Sequence, residues 1–326
     1  MDWGQILNSA AGELLSPVTA AYALAAIGLS VHFGYAGLLN FGQAGFMAIG
    51  AYAFVVPTLL FDFPLWAGFL STILASVLFA FLLGIPTLRL RADYLAIVTI
   101  ASAEIVRFTV STTALTDVTG GAAGLSGFNS GFIALNPFAD GSYGFGPWTY
   151  TANQLWIRVF GWGLVILATI LVFLLMRSPW GRVVKGIRED EDAVRSLGKN
   201  VYAYKMQALI LGGVFGSLAG VIFVLPRAVQ PGNYATTLTF FIWTMLLLGG
   251  AATLLGPIVG AMLFAALLTL SDSILRGLIS ADIITFISST QAGQIRFIII
   301  GAVLMLLVIF RPQGIFGNKK ELSFNV

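Results

Sequence analysis

Long apolar runs with almost no charge restrict this chain more than any other feature of its sequence. A helix crosses the hydrocarbon layer of a bilayer with about 20 apolar residues, and several runs approach that length. They lie at 16–34, 39–60, 64–86, 94–112, 155–176, 206–225, 235–255, 257–271 and 294–310. Only 10% of the residues are charged, against roughly 25% in a soluble domain. The sequence therefore predicts an all-α, polytopic helical membrane protein with about nine transmembrane helices, within a range of about eight to ten.

Basic residues concentrate on one side of the predicted membrane. The segment 177–205 contains seven Lys and Arg residues, whereas 113–154 contains none. Because loops rich in Lys and Arg stay in the cytoplasm, we place 177–205 inside. Alternation of the spans then puts twelve basic residues inside and only Arg227 and Arg276 outside. This distribution predicts an external N-terminus and a cytoplasmic C-terminus.

The whole chain, 1–326, is predicted to be a single transmembrane domain. Its longest connections are an external loop at 113–154 and a charged cytoplasmic loop at 177–205, and the chain ends in a cytoplasmic tail at 311–326. The external loop is rich in aromatic residues, which favours a structured segment over a disordered linker. The run 257–271 is short and fits a half-helix or part of a re-entrant element.

The residue inventory excludes several kinds of chemistry. The chain has no cysteine and a single histidine, His32, which excludes disulfides and argues against a metal site; we expect His32 to have a packing role. It also lacks a G-x-x-x-x-G-K-[ST] phosphate-binding motif and a Ser, His and Asp catalytic set. We therefore predict a protein that is not an enzyme, without catalytic residues, metal, bound cofactor or nucleic-acid partner. If ATP drives transport, ATP and Mg²⁺ must bind to another subunit.

Charge is concentrated in the stretch GRVVKGIREDEDAVRSLGKN (181–200), which holds nine Asp, Glu, Lys and Arg residues. Its apolar positions follow a helical stripe that is interrupted near 189–192. Gly198 fits the residue that follows a helix C-terminus. The pattern predicts a short amphipathic helical hairpin at the cytoplasmic face. Two interpretations stay open at this point: a docking element for a partner, or a loop that only marks the cytoplasmic side.

Several blocks of the sequence, in the same order, resemble one family of membrane proteins. DAVRSLG (192–198) resembles the EAA-x-x-x-G element of permease subunits in ATP-binding-cassette importers, with Asp192 in place of Glu and Val194 in place of the second Ala. Further blocks are FGYAGLLNFGQAGFMAIGAY (33–52), YLAIVTIASAEIVRF (94–108) followed by TGGAAGL (119–125), and LLLGGAATLLGPIVGAMLF (246–264). Together with the run 177–220, they resemble the LivM-like permeases for branched-chain amino acids.

The resemblance implies a membrane-spanning permease subunit of an importer that works by alternating access in the bacterial cytoplasmic (inner) membrane. The implied partners are a second homologous permease in a heterodimer, two cytoplasmic ATPase subunits and an external substrate-binding protein. The sparsely polar spans favour a branched-chain or other hydrophobic amino acid as substrate, with urea or another amide as the alternative. An autonomous ion-coupled carrier or channel that uses Glu104 is an alternative of a different class.

In such importers, the EAA-like loop fits a groove on the ATPase and passes nucleotide-driven motion to the permease. The implied coupling site has nine residues: Gly181, Arg182, Ile187, Arg188, Asp192, Ala193, Val194, Leu197 and Gly198. We expect the apolar members Ile187, Val194 and Leu197 to be buried in the groove of the partner. The charged members are expected to be rim or hinge contacts, and the glycines to form the turns.

Polar and small residues near the start of the second span are candidates for the translocation pathway, which the resemblance places between two permease subunits. The candidates are Asn40, Gly42, Gln43, Phe46 and, in the fourth span, Glu104. For the first four, close helix packing is the alternative. An ionisable residue inside a span indicates a functional site, but Glu104 precedes Arg107 by three residues on the same helical face. The alternative for Glu104 is therefore a structural ion pair.

Overall fold

Helices account for almost all of the regular structure. The computed structural model describes residues 3–89, 92–280, 289–311 and 313–317. The helices are α1 (Trp3–Leu14), α2 (Pro17–Leu29), α3 (Gln43–Leu60), α4 (Leu65–Thr87), α5 (Ala92–Ser111), α6 (Thr116–Thr119), α7 (Ser130–Ala134), α8 (Ala152–Arg177), α9 (Pro179–Glu189), α10 (Glu191–Ser196), α11 (Val201–Val224), α12 (Thr236–Gly249), α13 (Gly256–Ser280) and α14 (Ser289–Phe310). A π-helical turn, Ser30–Tyr35, extends α2, and 3-10 turns occupy Thr113–Leu115 and Pro231–Tyr234. Two antiparallel strands, β1 (Ser142–Phe145) and β2 (Trp148–Thr151), form a hairpin.

Within the described residues, seven helical segments are long and apolar enough to cross a membrane. They are Pro17–Tyr35, Gln43–Leu60, Leu65–Thr87, Asp93–Ser111, Ala152–Arg177, Val201–Val224 and Gly256–Ser280. The first six match the first six predicted spans, and the ninth predicted run lies within α14. These segments confirm the prediction of an all-α polytopic membrane protein. Helices suit a membrane because they satisfy their own backbone hydrogen bonds in lipid.

The seventh predicted run, 235–255, forms a shorter helix than expected, and the eighth, 257–271, forms a longer one. α13 has 25 residues, so the prediction of a short element at 257–271 is wrong. The polar stretch that ended the apolar run remains helical, and Arg276 donates to the Asp272 carboxylate one turn earlier at 2.8 Å. α12 is the short helix. Its 14 residues span about 21 Å, and it ends before Gly250, whose φ is 114°.

α11 lies at the centre of the bundle, packed against α2, α3 and α4. Glycines allow its backbone to approach α3 closely. A Cβ at Gly50 would overlap the backbone of Ser217, and a Cβ at Gly220 would overlap the carbonyl of Met47. Close packing of small residues is a main source of helix association in lipid, so these crossings hold the bundle together.

The predicted external loop 113–154 is structured, as expected. It contains α6, α7 and the β-hairpin, and Leu125 pairs with Val229 through two backbone hydrogen bonds of 3.0 and 2.9 Å. The sequence did not predict α1, which packs against α13. The Trp148 indole N–H of the β-hairpin donates to the carbonyl of Asn8 on α1 at 3.0 Å, which ties this segment to the bundle.

The predicted tail, 311–326, falls outside the described residues at position 312 and from 318 onward. In its described part, the backbone N–H groups of Ile315 and Phe316 donate to the carbonyls of Leu248 and Gly249 at 3.0 Å. These hydrogen bonds hold the start of the tail against the C-terminal end of α12.

Candidate coupling and translocation sites

The predicted charged hairpin is present as α9 followed by α10. The Ser178 hydroxyl accepts a hydrogen bond from the Gly181 backbone N–H at 3.4 Å and caps α9. At Asp190 the backbone becomes extended, with φ at −154°. Its carboxylate accepts from the Ala193 N–H at 3.0 Å and caps α10. The break falls where the sequence predicted an interruption of the apolar stripe.

Both predicted turn glycines lie where a side chain is disfavoured. At Gly198 the reason is the backbone conformation, and at Gly181 it is close packing. Gly198 has a φ of 74°, its N–H donates to the Arg195 carbonyl at 2.9 Å, and the next N–H, of Lys199, donates to the Val194 carbonyl at 3.4 Å. This is the Schellman pattern that ends a helix. At Gly181, a Cβ would come within 2.6 Å of the last turn of α8, because α9 folds back against that turn.

Most of the apolar stripe of the hairpin faces the chain itself. Ile187 and Val194 are 5% and 9% exposed and pack with Val201 at the start of α11. The expectation that these two side chains are buried in a partner is therefore corrected: they fix the hairpin to α11. Apolar periodicity identifies a face that needs burial but does not say which protein covers it. Leu197, by contrast, is 78% exposed.

The side of the hairpin that faces away from the bundle carries both charge and an apolar residue. We define this outer surface as Arg182, Asp192, Ala193, Arg195 and Leu197, all of which are exposed. Arg195 pairs with Asp192 and with Glu191 at 2.9 Å each. Because these ion pairs are exposed, they contribute little to stability. They leave a charged rim around Leu197 that a partner can reach.

Arg188 points in the opposite direction, into the bundle. Its side chain is 18% exposed and its guanidinium donates to the Gly34 carbonyl at 2.5 Å. The guanidinium also donates to Glu189, and Lys205 on α11 pairs with Glu191. Arg188 was expected at the coupling site, but no sequence pattern marks Gly34, because the acceptor is a main-chain carbonyl.

Three buried polar side chains lie just beyond this contact. His32, Asn40 and Gln43 are all 0% exposed. The Asn40 amide donates to His32 Nδ1 at 2.9 Å and to Gln43 Oε1 at 3.2 Å. His32 Nε2 lies 3.0 Å from the Leu209 carbonyl, which can only accept, so Nε2 carries the proton and Nδ1 accepts. The Gln43 amide donates to the Ala25 carbonyl at 3.1 Å. This network joins α2, α3 and α11.

The first four pathway candidates lie within the packed bundle. Asn40, Gln43 and Phe46 are 0% exposed, and a Cβ at Gly42 would meet the Thr99 carbonyl at 2.5 Å. None of these residues lies along an open channel in the structure. Their burial and the close approach of the backbones at Gly42 fit the alternative of close helix packing.

Glu104 on α5 links two helices. Its carboxylate accepts from the Thr236 backbone N–H at 3.0 Å and from the Thr236 hydroxyl at 2.5 Å. Arg107 donates to the other carboxylate oxygen at 2.7 Å. The Glu104 and Arg107 side chains remain 27% and 22% exposed, on a helix whose outward residues include Ile97 and Ile105. Thr236 begins α12, which has no capping side chain of its own, and no sequence pattern indicated this contact.

Comparison with known families places the chain. A family model described as the permease component of a branched-chain amino acid transport system matches residues 14–309. The chain belongs to this permease family. The matched region includes the hairpin, the buried network and Glu104. With its membrane-spanning helices, this permease is a multi-pass protein of the cytoplasmic membrane.

Individual relatives agree with the family. The permease is 30% identical over 313 residues to the high-affinity branched-chain amino acid transport system permease protein LivM of Salmonella typhimurium. The alignment covers 92% of this chain and 69% of that protein. It is 27% identical over 338 residues to the probable branched-chain amino acid transport permease protein LivM of Methanocaldococcus jannaschii, covering 91% of each. The autoinducer 2 import system permease protein LsrC of Escherichia coli is 31% identical over 123 residues, covering 37% of this chain and 36% of that protein.

Proposed function

We propose that this chain is the membrane-spanning permease subunit of an ATP-binding-cassette importer that moves branched-chain or other hydrophobic amino acids into the cell by alternating access. The family and the two LivM relatives support the substrate class, since their descriptions concern branched-chain amino acid transport. The observation that carries the coupling role is the hairpin, a helical pair fixed to the bundle by Ile187 and Val194 that exposes Leu197.

The outer surface of the hairpin is the proposed ATPase contact. An exposed leucine within a charged rim suits insertion into a groove of a partner, and the surrounding charges set the register and speed of docking. In this arrangement Leu197 enters the groove while Arg182 and Asp192 meet its edge. ATP and Mg²⁺ bind on the partner, and this chain takes no part in hydrolysis.

The proposed assembly contains two cytoplasmic ATPase subunits, a second homologous permease and an external substrate-binding protein. The distribution of Lys and Arg supports the orientation, with the hairpin in the cytoplasm and 113–154 outside. The β-hairpin and short helices of 113–154 then form part of the surface that an external protein meets.

We place the pathway along α5, at the junction with the second permease. An ionisable pair on a membrane-spanning helix is costly to expose to lipid, yet Glu104 and Arg107 keep 27% and 22% of their side-chain surface exposed. A face that meets protein or water accommodates this exposure. The hydrogen bonds that the Glu104 carboxylate accepts from Thr236 favour a structural carboxylate over the proton or ion relay of an autonomous carrier.

Reconstitution of the purified complex in liposomes tests the proposal. We expect ATP-dependent uptake of labelled leucine that excess unlabelled leucine suppresses and that urea and ribose do not. Uptake by the solitary chain, driven by an ion gradient and indifferent to ATP, would refute the proposal and favour a carrier. Suppression by urea rather than by leucine would assign the complex to amide transport.

A further inference from the structure

Arg188 connects the hairpin to the turn that follows α2. Its guanidinium donates to the Gly34 carbonyl at 2.5 Å, and its stem lies beside Gly37, where an added Cβ would come within 3.2 Å of Arg188 Cγ. Glu189 accepts from the same guanidinium through Nε at 2.9 Å. Charge-assisted hydrogen bonds on two edges hold the planar group in one orientation.

A cavity lies beside Arg188, between the hairpin and the segment that follows α2. It has a volume of about 290 Å³ and is lined by both the hairpin and the turn, including Ile187, Glu191, Gly37 and Leu38. Packed side chains transmit displacement because protein interiors have few voids. Where packing is interrupted, a displacement of the hairpin passes to the turn through polar contacts. The hydrogen bond from Arg188 to the Gly34 carbonyl is such a contact.

Gly34 lies within the π-helical turn Ser30–Tyr35. Such wide turns are rare and occur often at functional sites. His32, two residues before Gly34, is fully buried and bonded to Asn40 and to the Leu209 carbonyl of α11. A displacement of the Gly34 carbonyl therefore acts near a side chain that is bonded directly to α11 and, through Asn40 and Gln43, to α3.

The non-helical segment 36–42 extends this connection to α5 and α12. The Phe41 N–H donates to the Thr99 hydroxyl of α5 at 3.0 Å. The Trp243 indole N–H of α12 donates to the Asn40 carbonyl at 3.0 Å. α5 is the helix that carries Glu104 and is proposed above to face the pathway. Hydrogen bonds joined by two short stretches of backbone, Gly34 to His32 and Asn40 to Phe41, thus connect the hairpin to that helix.

We infer that Arg188 is a positioning residue that transmits movement of the hairpin, through the Gly34 carbonyl and the His32–Asn40 network, to α5 and α12. It acts inside the permease and does not dock the ATPase. The inference rests on the proposed function, because it requires an ATPase that moves the hairpin. Mutations along such contiguous networks change coupling by roughly twofold to thirtyfold.

The first experiment uses the complete complex in liposomes and measures leucine imported per ATP hydrolysed. Arg188→Cys is expected to lower this ratio about tenfold. Arg188→Lys keeps a donor for the Gly34 carbonyl and is expected to retain most of the ratio. The matched control is Arg177→Cys at the end of α8, where the guanidinium lies over the Phe173 ring of the same helix at 4.1 Å; this variant is expected to keep the wild-type ratio.

The absence of native cysteines in this chain permits a second experiment. A Cβ at Gly37 would lie 3.6 Å from Arg188 Cβ, within the roughly 3.5–4.5 Å that a disulfide spans. In Gly37→Cys/Arg188→Cys, oxidation replaces the hydrogen-bonded link by a covalent one, so the ratio should rise on oxidation and fall again on reduction. Gly37→Cys alone controls for a side chain at a φ of 68° and should not respond to oxidation.

An unchanged ratio in Arg188→Cys would overturn the inference. So would an oxidised double variant that stays uncoupled. Loss of ATPase binding by a permease of normal thermal stability would also overturn it, since Arg188 would then be a docking contact. Failure of the wild-type complex to couple ATP hydrolysis to import would instead refute the proposed function.

Discussion

The Glu104 carboxylate accepts a hydrogen bond from the Thr236 backbone N–H at 3.0 Å and so caps α12 from a neighbouring helix. Carboxylates stabilise helix N-termini because they accept from free N–H groups and oppose the positive end of the helix dipole. The ion pair with Arg107 at 2.6 Å holds the Glu104 carboxylate from its other oxygen. The pathway candidate predicted from the sequence is therefore also a link between α5 and α12.

Glu104→Gln is expected to destabilise the permease by about 2 kcal/mol, because the charged acceptor shared by Thr236 and Arg107 is replaced by a neutral one. The midpoint of thermal unfolding in detergent measures the loss. Import per ATP should remain near wild type at temperatures below unfolding. The exposed Asp117 supplies a control, since Asp117→Asn should leave the midpoint unchanged. Normal stability with abolished import in Glu104→Gln would indicate a direct role in translocation.

Removal of Asn40 should be more damaging. Its side chain serves His32 and Gln43 and accepts from the Gly42 N–H at 2.7 Å. Asn40→Ala removes the partner of three buried atoms, His32 Nδ1, Gln43 Oε1 and the Gly42 N–H, which we expect to cost about 3 kcal/mol in unfolding free energy.

The matched control for Asn40→Ala is Asn136→Ala, because the Asn136 amide bonds to Asn153 in an exposed position. This variant should change the unfolding free energy by less than about 0.5 kcal/mol. Equal effects of the two substitutions would mean that water enters the network around Asn40 and that it is not a sealed part of the core.

The α3–α11 crossing can be tested by comparing a glycine packed at the crossing, Gly220, with a glycine in open space, Gly163. Gly220→Ala should lower thermal stability strongly, because the added Cβ overlaps the Met47 carbonyl and a well-packed crossing has to open. Gly163→Ala in α8 meets nothing within 4 Å, so its higher helix propensity should raise stability by a few tenths to about 1 kcal/mol. Thermal unfolding of the two variants side by side measures the difference, and loss of stability in both would point to backbone effects instead of the crossing.

The parts of the site that the sequence predicts are those with a local signature. Gly198 follows a helical stripe and ends it, and the charge run around Asp190 interrupts the stripe where α10 begins. The length of α13 was not predictable from its apolar run, because Asp272 and Arg276 neutralise each other within a continuing helix. Hydropathy counts such residues as a break, whereas the structure pairs them.

Contacts that depend on the tertiary arrangement had no such signature. Ile187 and Val194 had the right periodicity for a buried face, but only the fold shows that α11 covers them. The Gly34 carbonyl that receives Arg188 is a main-chain atom, present at every position of every sequence. The charged hairpin was thus predictable as an element, and its attachment to the bundle was not.

Leu197 provides a test of the docking surface that leaves the fold intact. Because this side chain is 78% exposed, Leu197→Ser should not alter thermal unfolding of the permease, yet it should reduce co-purification with the ATPase several-fold if the residue fills a groove. Leu135, 63% exposed in the segment predicted to be external, supplies the control, and Leu135→Ser should co-purify normally. Full ATPase recovery with Leu197→Ser would move the contact elsewhere on the hairpin.

Orientation in the membrane can be measured with single cysteines, since the chain has none of its own. Ser126 and Ser196 are both exposed, the first in the segment 113–154 and the second at the end of α10. The excess of basic residues near the hairpin predicts a cytoplasmic Ser196 and an external Ser126. A membrane-impermeant thiol reagent applied to intact cells should therefore label Ser126→Cys and should label Ser196→Cys only after permeabilisation. Labelling of Ser196→Cys in intact cells would invert the topology and place the hairpin beyond the reach of any cytoplasmic ATPase.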